Sequence, residues 1–230
     1  MIIFTNVYKP IHGTERMIRS FERFGYHVVV GNTPTGNGFI MRDLYHAYKQ
    51  ALNDGHESFC YSDAADTICQ RPFDMPKDML IWSTEKACYP DTTLCTKYKY
   101  REGYDGDWRY LNNGVYGGSL ELVVEFFEKY QLHKLHQHAN GQHEVMLAYL
   151  DAVDNGFPIK LDIDCEYFQS IAFDYDPERK SYPLHQNDEY HGVDFELVNG
   201  MVHNRVTGTT PAILHGNGLT PMGWIEKNVL

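Results

Sequence analysis

Apolar runs and helical stretches alternate at the start of the chain. The apolar run Ile2–Val7 predicts a first strand. Residues 13–24 predict a helix, because apolar side chains recur there at helical spacing, namely Met17, Ile18, Phe21 and Phe24. Gly25 is typical of a helix end, and the β-branched run at 26–30 predicts a second strand. A strand, a helix and a strand in this order favour an α/β fold with a parallel sheet.

The alternation continues along the rest of the chain. Helices are predicted over three further segments, 40–52, 120–130 and 144–150. Strands are predicted over four apolar segments, 56–61, 79–84, 159–163 and 211–214. Asn199-Gly200 is a strong turn signal, so a hairpin is predicted between residues 195–198 and 201–206.

Three segments lack a clear period. Residues 91–109 predict a long irregular insert, a kind of loop that is usually functional or mobile. Residues 110–118 predict a polar, glycine-rich turn that leads into a strand, and residues 174–192 predict a surface loop. The chain shows no internal repeat and no convincing boundary, so a single domain over 1–230 is expected.

Composition and net charge exclude some classes of function. The chain has 230 residues, 43% of them hydrophobic, which is enough for a buried core. Its formal net charge of -11 argues against broad, non-specific DNA binding, because that binding depends on Lys and Arg. A local basic patch remains compatible with this charge, and an enzyme that acts on a flipped base needs only a limited one.

The cysteines and the N-terminal residues indicate the cellular compartment in which the protein is expected. The five Cys form no C-x-x-C pair, and several lie in apolar runs, which favours unpaired thiols in a reducing compartment. The N-terminus lacks the basic and long apolar regions of a signal peptide, and no run is long enough to span a bilayer. These features predict a cytoplasmic protein that has no membrane partner.

Two aspartates follow a predicted buried strand. Asp63 and Asp66 come directly after the apolar residues 59–61. Ligands of open α/β sheets bind beyond the carboxyl ends of the strands, and two carboxylates there can hold a hard divalent cation. The alternative is that both residues cap a helix or a turn. A second polar stretch near the other end of the chain, His215-Gly216-Asn217-Gly218, favours the metal hypothesis.

Two further stretches invite a site hypothesis. The glycine-rich residues 31–38 have the composition of a phosphate loop, but their spacing matches neither the P-loop nor G-x-G-x-x-G, so a connecting loop is the better interpretation. Four histidines invite a zinc hypothesis, namely His133, His136, His138 and His143. No Cys partner and no H-E-x-x-H pattern accompanies them, which favours a solvated surface.

An ordered series of short motifs carries a family resemblance over almost the whole chain. The motifs are Thr5-Asn6-Val7, Asp63-x-x-Asp66, Trp82-Ser83-Thr84-Glu85 with Cys88-Tyr89-Pro90, Tyr110-Leu111-Asn112-Asn113-Gly114, Leu161-Asp162 with Phe168-Gln169, and 211–218. The chain resembles the glycosyltransferase domain of the procollagen lysyl hydroxylase/glycosyltransferase enzymes, including stand-alone viral and bacterial forms. The resemblance implies a GT-A fold, a Rossmann-like and mostly parallel mixed sheet flanked by helices.

The resemblance also implies a donor site. It assigns a manganese ion, or magnesium, to the ligands Asp63, Asp66 and His215. It also places six residues near the nucleotide sugar, which is a UDP-sugar. These residues are Thr5, Val7, Gly38, Gly216, Asn217 and Gly218. Carboxylate and imidazole ligands suit manganese, and a metal on the diphosphate is Lewis-acid catalysis. Asn113 is a catalytic candidate, because its amide can donate to the sugar or the phosphates.

Three departures from the family pattern leave roles open. Ala65 stands where the family has an aromatic residue near the nucleotide, so Tyr61 is the expected substitute. No Lys follows the 215–218 motif, and Arg42 is the expected replacement on the diphosphate. Gln142-His143-Glu144 stands where the family has Asp-Asp-Gln near the acceptor. Glu144 and Asp162 are therefore the catalytic candidates near the reacting sugar, with His143 as another.

The leading hypothesis is a metal-dependent transfer of a hexose from a UDP-sugar to a hydroxyl acceptor. The acceptor is expected to be a hydroxymethylated pyrimidine in DNA or a hydroxylysine-type hydroxyl. The absence of a signal peptide counts against collagen processing, and the net charge counts against DNA, so the balance leans to a non-collagen hydroxyl. The alternative function is a non-catalytic nucleotide- or carbohydrate-binding module on a GT-A scaffold.

Overall fold

The computed structural model describes residues 1–7, 12–32, 37–100, 104–171, 194–217, 220 and 222–230. The predicted surface loop at 174–192 and Gly218 lie outside these residues, as do residues 33–36 of the glycine-rich stretch at 31–38. The strands are β1 Ile2–Val7, β2 His27–Asn32, β3 Ser58–Ser62, β4 Thr67–Cys69, β5 Leu80–Glu85, β6 Tyr110–Ser119, β7 Ile159–Leu161, β8 Phe168–Ser170, β9 Phe195–Val198, β10 Met201–Asn204 and β11 Ile213–His215. The α-helices are α1 His12–Glu22, α2 Asn37–Asn53, α3 Leu120–Lys129, α4 Gly141–Asp154 and α5 Gly223–Val229.

A six-stranded sheet forms the centre of the fold, in the order β2-β1-β3-β6-β5-β7. β1 runs parallel to β2 and β3, and β5 runs parallel to β7. β6 lies antiparallel between β3 and β5, so the sheet is mixed but mostly parallel. The carboxyl ends of β3 and β5 therefore meet at one edge of the sheet, which is where open α/β sheets bind ligands.

Helices cover both faces of this sheet. Successive strand residues point to opposite faces, so Ile2 and Phe4 belong to one core and Ile3 to the other. The first core includes apolar residues of α2, α3 and α4. The second core includes Met17 and Phe21 of α1. The predicted helical spacing in 13–24 is thus the face that α1 buries, and Gly25 ends the helix region with a φ of +81°.

A small three-stranded sheet, in the order β4-β11-β8, lies beside the main one. β11 pairs antiparallel with β4, so that His215 lies opposite Thr67, and it pairs parallel with β8. β4 and β8 have three residues each, too few to show a period in the sequence. The predicted hairpin around Asn199 is confirmed by the antiparallel pair β9 and β10.

Two expectations from the sequence are wrong. The whole of 110–119 is strand β6, with an irregular register opposite Trp82 and Ser83, and the expected turn at its start does not form. Cys88 and Cys95 form a disulfide, whereas Cys60, Cys69 and Cys165 are buried and free. Among the described residues, no helix is both long and apolar enough to cross a bilayer.

Candidate metal centre and adjoining cavity

Strand β3 and the turn after it position Asp63 and Asp66. The backbone N–H of Asp63 donates to the carbonyl oxygen of Gly114 at 2.8 Å, which continues the pairing of β3 with β6. The hydroxyl of Thr67 donates to the carbonyl oxygen of Asp63 at 2.6 Å and closes the turn. The turn thus brings both carboxylates to the same side, at the carboxyl end of the strand.

His215 completes the group from the small sheet. Its Nε2 lies 3.7 Å from an oxygen of Asp63 and 3.7 Å from an oxygen of Asp66. One ligand atom from each of the three residues lies within 4.8 Å of the other two. The imidazole is buried, so its Nε2 has a fixed direction towards the two carboxylates.

The trio fits a divalent cation. Two carboxylate oxygens and one imidazole nitrogen form a donor set that manganese accepts. Gly114 supports this fit, because a Cβ there would lie 2.2 Å from Cε1 of His215 and 2.8 Å from an oxygen of Asp63. Only a glycine leaves the space between these two side chains open.

The electrostatics of the trio favour a bound cation. Burial raises the pKa of Asp63, and the negative charge of Asp66 raises it further. Burial lowers the pKa of His215, but the charges of Asp66, Asp63 and Glu85 outweigh this effect and raise it. Both pKa shifts reflect negative charge that is crowded in a buried space. A divalent cation bound there would offset this charge and stabilise the ionised carboxylates.

A cavity of about 310 Å³ opens beside the trio. Besides the trio, its walls include Glu85, Tyr89, Asn112, Gln142 and Asn217. Each of the described lining residues except Gly114 has a polar group in its side chain, including the phenol of Tyr89 and the imidazole of His215. The cavity therefore has the chemistry of a site for a polar, hydroxyl-rich molecule rather than for an apolar one.

Glu85 lines the cavity, although the sequence marked it only as part of the motif 82–85 and gave it no site role. It ends strand β5, is buried, and accepts hydrogen bonds from Gln142 at 2.7 Å and from Asn217 at 2.8 Å. Burial raises the pKa of Glu85 to about 7, although these hydrogen bonds oppose the shift. The rule that pointed to Asp63 applies equally to an acidic residue at the end of β5, so the signal was present.

The other predicted catalytic residues lie away from the described wall of the cavity. Asn113 accepts a hydrogen bond from Trp82 Nε1 at 3.1 Å, and its neighbour Asn112 lines the cavity instead, because adjacent strand residues face opposite sides. Asp162 accepts three backbone N–H donors, at 3.0, 2.8 and 2.8 Å, and belongs to a second cavity. Glu144 lies in the first turn of α4, with an oxygen 3.8 Å from His143 Nδ1.

The residues predicted at the donor occupy several places. Tyr61 is buried, and its hydroxyl donates to Asp63 at 2.8 Å, so it orients this carboxylate and leaves no open face for stacking on a base. Asn217 reaches Glu85, while the N–H of Gly216 donates to the carbonyl oxygen of Asp66 at 2.7 Å. Arg42 lies exposed on α2 and pairs with Asp43.

The remaining predicted donor residues lie in the first strand and at the start of α2. Thr5 and Val7 are buried in β1, and the hydroxyl of Thr5 has no hydrogen-bond partner among the described residues. Gly38 packs against the loop after α3, since a Cβ there would lie 2.4 Å from the carbonyl oxygen of His136. The four histidines of the zinc hypothesis form no metal-binding group in the described part of the chain, where Asp63, Asp66 and His215 are the one such group.

Known proteins resemble the chain in sequence and in fold. The family profile described as "PLOD GT domain" matches residues 52–224. A procollagen-lysine,2-oxoglutarate 5-dioxygenase of Drosophila melanogaster is 26% identical over 238 residues, covering 95% of this chain and 30% of the fly protein. A procollagen-lysine,2-oxoglutarate 5-dioxygenase 1 of Gallus gallus is 24% identical over 96% of this chain and 30% of its own length. The chain thus spans under a third of either relative.

One solved structure covers nearly the whole chain. It is a glycosyltransferase involved in the glycosylation of the major capsid of PBCV-1, with a TM-score of 0.50 and 11% identity. The match covers 99% of this chain and 97% of that one. At this identity the likeness shows a shared fold.

Proposed function

The chain belongs to the PLOD GT domain family, and from that premise we propose that it is a metal-dependent glycosyltransferase that moves a hexose from a UDP-sugar to a hydroxyl acceptor. The observation that carries the proposal is the trio of Asp63, Asp66 and His215 at the wall of a polar cavity. A metal held by the trio would neutralise the leaving diphosphate as the glycosidic bond breaks.

The cavity residues supply the rest of the chemistry. In the reaction, the hexose carbon leaves a diphosphate oxygen and bonds to the acceptor oxygen, and the acceptor hydroxyl loses its proton. Glu85 is the carboxyl group of the cavity wall outside the metal trio, and its pKa of about 7 suits proton uptake near neutral pH. Asn217 and Gln142 hold the two oxygens of Glu85 in place.

Manganese is the proposed metal, and the acceptor is a hydroxylysine-type hydroxyl or a hydroxymethylated pyrimidine in DNA. The names of the curated relatives concern procollagen lysine, which supports the first acceptor. The net charge of -11 weighs against DNA. The predicted cytoplasmic location rests partly on unpaired cysteines, and the Cys88–Cys95 disulfide weakens that basis, because disulfides are rare in reducing compartments.

The test is manganese-dependent UDP release from UDP-glucose and UDP-galactose. Hydroxymethylcytosine DNA and a hydroxylysine collagen peptide serve as parallel acceptors. Asp63→Asn and Asp66→Asn are expected to lower release by at least a hundredfold, and the exposed Asp78→Asn is the matched control. Thermal unfolding of each variant in EDTA shows whether the fold is kept.

Each result has a distinct meaning. Release that one acceptor stimulates identifies the reaction and the acceptor class together. Slow metal-dependent hydrolysis without acceptor stimulation keeps the donor and excludes both acceptors. Full activity in either aspartate variant contradicts the metal assignment, and nucleotide binding without any turnover favours the non-catalytic binding module.

A further inference from the structure

Arg16 lies where three segments of the molecule meet. It belongs to α1 and is nine-tenths buried. Its Nη2 donates to the carbonyl oxygen of Ala65 at 2.5 Å, and its Nη1 donates to a carboxylate oxygen of Glu226 at 3.1 Å. One guanidinium therefore joins the turn after β3 to the C-terminal helix α5.

The first of these bonds fixes the turn that carries two of the proposed metal ligands. Ala65 lies between Asp63 and Asp66 in the sequence, so the position of its carbonyl group constrains both carboxylates. The first turn of α1 lies against this carbonyl, because a Cβ on Gly13 would come within 1.9 Å of the Ala65 oxygen. Helix α1 thus packs against the turn, and Arg16 makes the polar contact between them.

The second bond reaches the segment that carries the third ligand. After His215, the N–H of Gly216 donates to the carbonyl oxygen of Asp66 at 2.7 Å. Met222 packs onto Gly216 so closely that a Cβ there would lie 2.3 Å from its sulfur. Helix α5 begins directly after Met222 and brings Glu226 back to the guanidinium.

We propose that Arg16 is a positioning residue of the metal centre, which sets the spacing of Asp63, Asp66 and His215 and so determines the metal affinity. Arg16 acts through the backbone of Ala65 and through Glu226. The planar guanidinium suits this task, because it offers separate N–H donors in a rigid fork, whereas a lysine ammonium on its flexible stem cannot fix two partners in the same way. The proposal rests on metal binding by the trio.

The test is direct manganese binding, measured by calorimetry and by electron paramagnetic resonance without donor or acceptor. Arg16→Gln is expected to raise the manganese Kd roughly tenfold to a hundredfold, as is usual when an outer partner of metal ligands is lost. Arg16→Lys and Glu226→Gln are expected to have smaller effects of the same sign. Arg19→Gln, an exposed arginine on the same helix, is the matched control and should bind as the wild type does.

Two comparisons distinguish an error in the metal assignment from an error in the role of Arg16. If wild type and Asp63→Asn bind manganese equally, the metal centre itself is wrong. If Asp63→Asn loses binding but the Arg16 and Glu226 variants keep the wild-type Kd, the positioning role is wrong and the metal centre stands. A lower melting temperature with an unchanged Kd also overturns the proposal, since it indicates a purely structural role. Should Arg16→Gln not fold, Arg16→Lys and Glu226→Gln still decide the question.

Discussion

At the scale of single residues, the candidate site depends on a few atoms in close contact. Gly114 has no side chain where strand β6 passes Asp63 and His215, and Tyr61 holds one oxygen of Asp63 by a hydrogen bond of 2.8 Å. Glu85 faces the cavity with both oxygens engaged. Gly114 and Glu85 each lead to a testable prediction.

Gly114→Ala is expected to weaken manganese binding by about fivefold or more. The added Cβ overlaps the ring of His215, so the imidazole or the strand has to shift, and overpacking of this kind costs about 1–3 kcal/mol. Calorimetric titration with manganese measures the effect. Val115→Ala, at a buried position in the same strand, should lower the free energy of unfolding while the manganese Kd stays the same. Equal affinities for Gly114→Ala and the wild type contradict the assignment.

Glu85 is expected to make the metal-free protein less stable as the pH rises. The folded protein keeps the Glu85 proton up to about pH 7, whereas the unfolded chain loses it near the ordinary value of 4.5. The folded state therefore binds more protons in this window, and the Glu85 contribution to the free energy of unfolding falls by about 1.4 kcal/mol per pH unit.

Glu85→Gln removes this contribution. Urea denaturation in EDTA between pH 4.5 and 7.5 should show the wild type losing stability relative to the variant as the pH increases. Parallel curves for the two proteins would contradict the raised pKa.

At the scale of elements, the disulfide fixes a short segment at the mouth of the cavity. Cys88 and Cys95 are seven residues apart, and Tyr89 between them lines the cavity. Gln142 of α4 donates to the carbonyl oxygen of Tyr89 at 2.8 Å, so the segment is tied to the helix as well. The disulfide thus limits how far this wall of the cavity can move.

The double variant with Cys88→Ser and Cys95→Ser is expected to lose about 2–3 kcal/mol of stability, from loop-closure entropy for a loop of this length. Its KM for the acceptor should rise more than its kcat falls, because the cavity wall becomes mobile. Thiol titration of the denatured wild type should give three free thiols before reduction and five after it. Five thiols without reduction would show that the disulfide does not form.

At the scale of the whole molecule, the proposed ligands come from two different sheets. Asp63 and Asp66 follow β3 of the main sheet, and His215 ends β11 of the small one. A bound ion would therefore join the two sheets. The expected GT-A fold and the family resemblance are confirmed, by the mixed sheet with its solved glycosyltransferase neighbour and by the family profile.

Manganese is accordingly expected to stabilise the entire fold. At a free concentration of a hundred times the Kd, the gain is about 2.7 kcal/mol, which appears as a higher melting temperature. Differential scanning fluorimetry with manganese and with EDTA measures it, and Asp63→Asn provides the control. The same rise in the variant would mean that manganese binds elsewhere.

The sequence by itself determined the main elements and two of the site segments. Helical spacing marked α1 and α2, apolar runs marked β1, β3 and β5, and Asn199-Gly200 marked the hairpin, because these signals are local. The sequence also marked Asp63 and Asp66, since polar residues directly after an apolar run are visible along the chain, and the family resemblance implied His215 as the third residue of the predicted metal site. The ordered motifs indicated the family for the same reason.

Only the tertiary structure decided which residues meet. The disulfide between Cys88 and Cys95, the short strands β4 and β8, and the contact of Arg16 with Ala65 and Glu226 all depend on spatial proximity. The fact that Asn112 and Glu85, rather than Asn113 and Asp162, line the cavity beside the trio depends on which face of a strand or loop each side chain occupies. A sequence pattern shows that successive strand residues alternate between the two faces of a sheet. The packing of the sheets and helices decides which of the two faces borders the cavity.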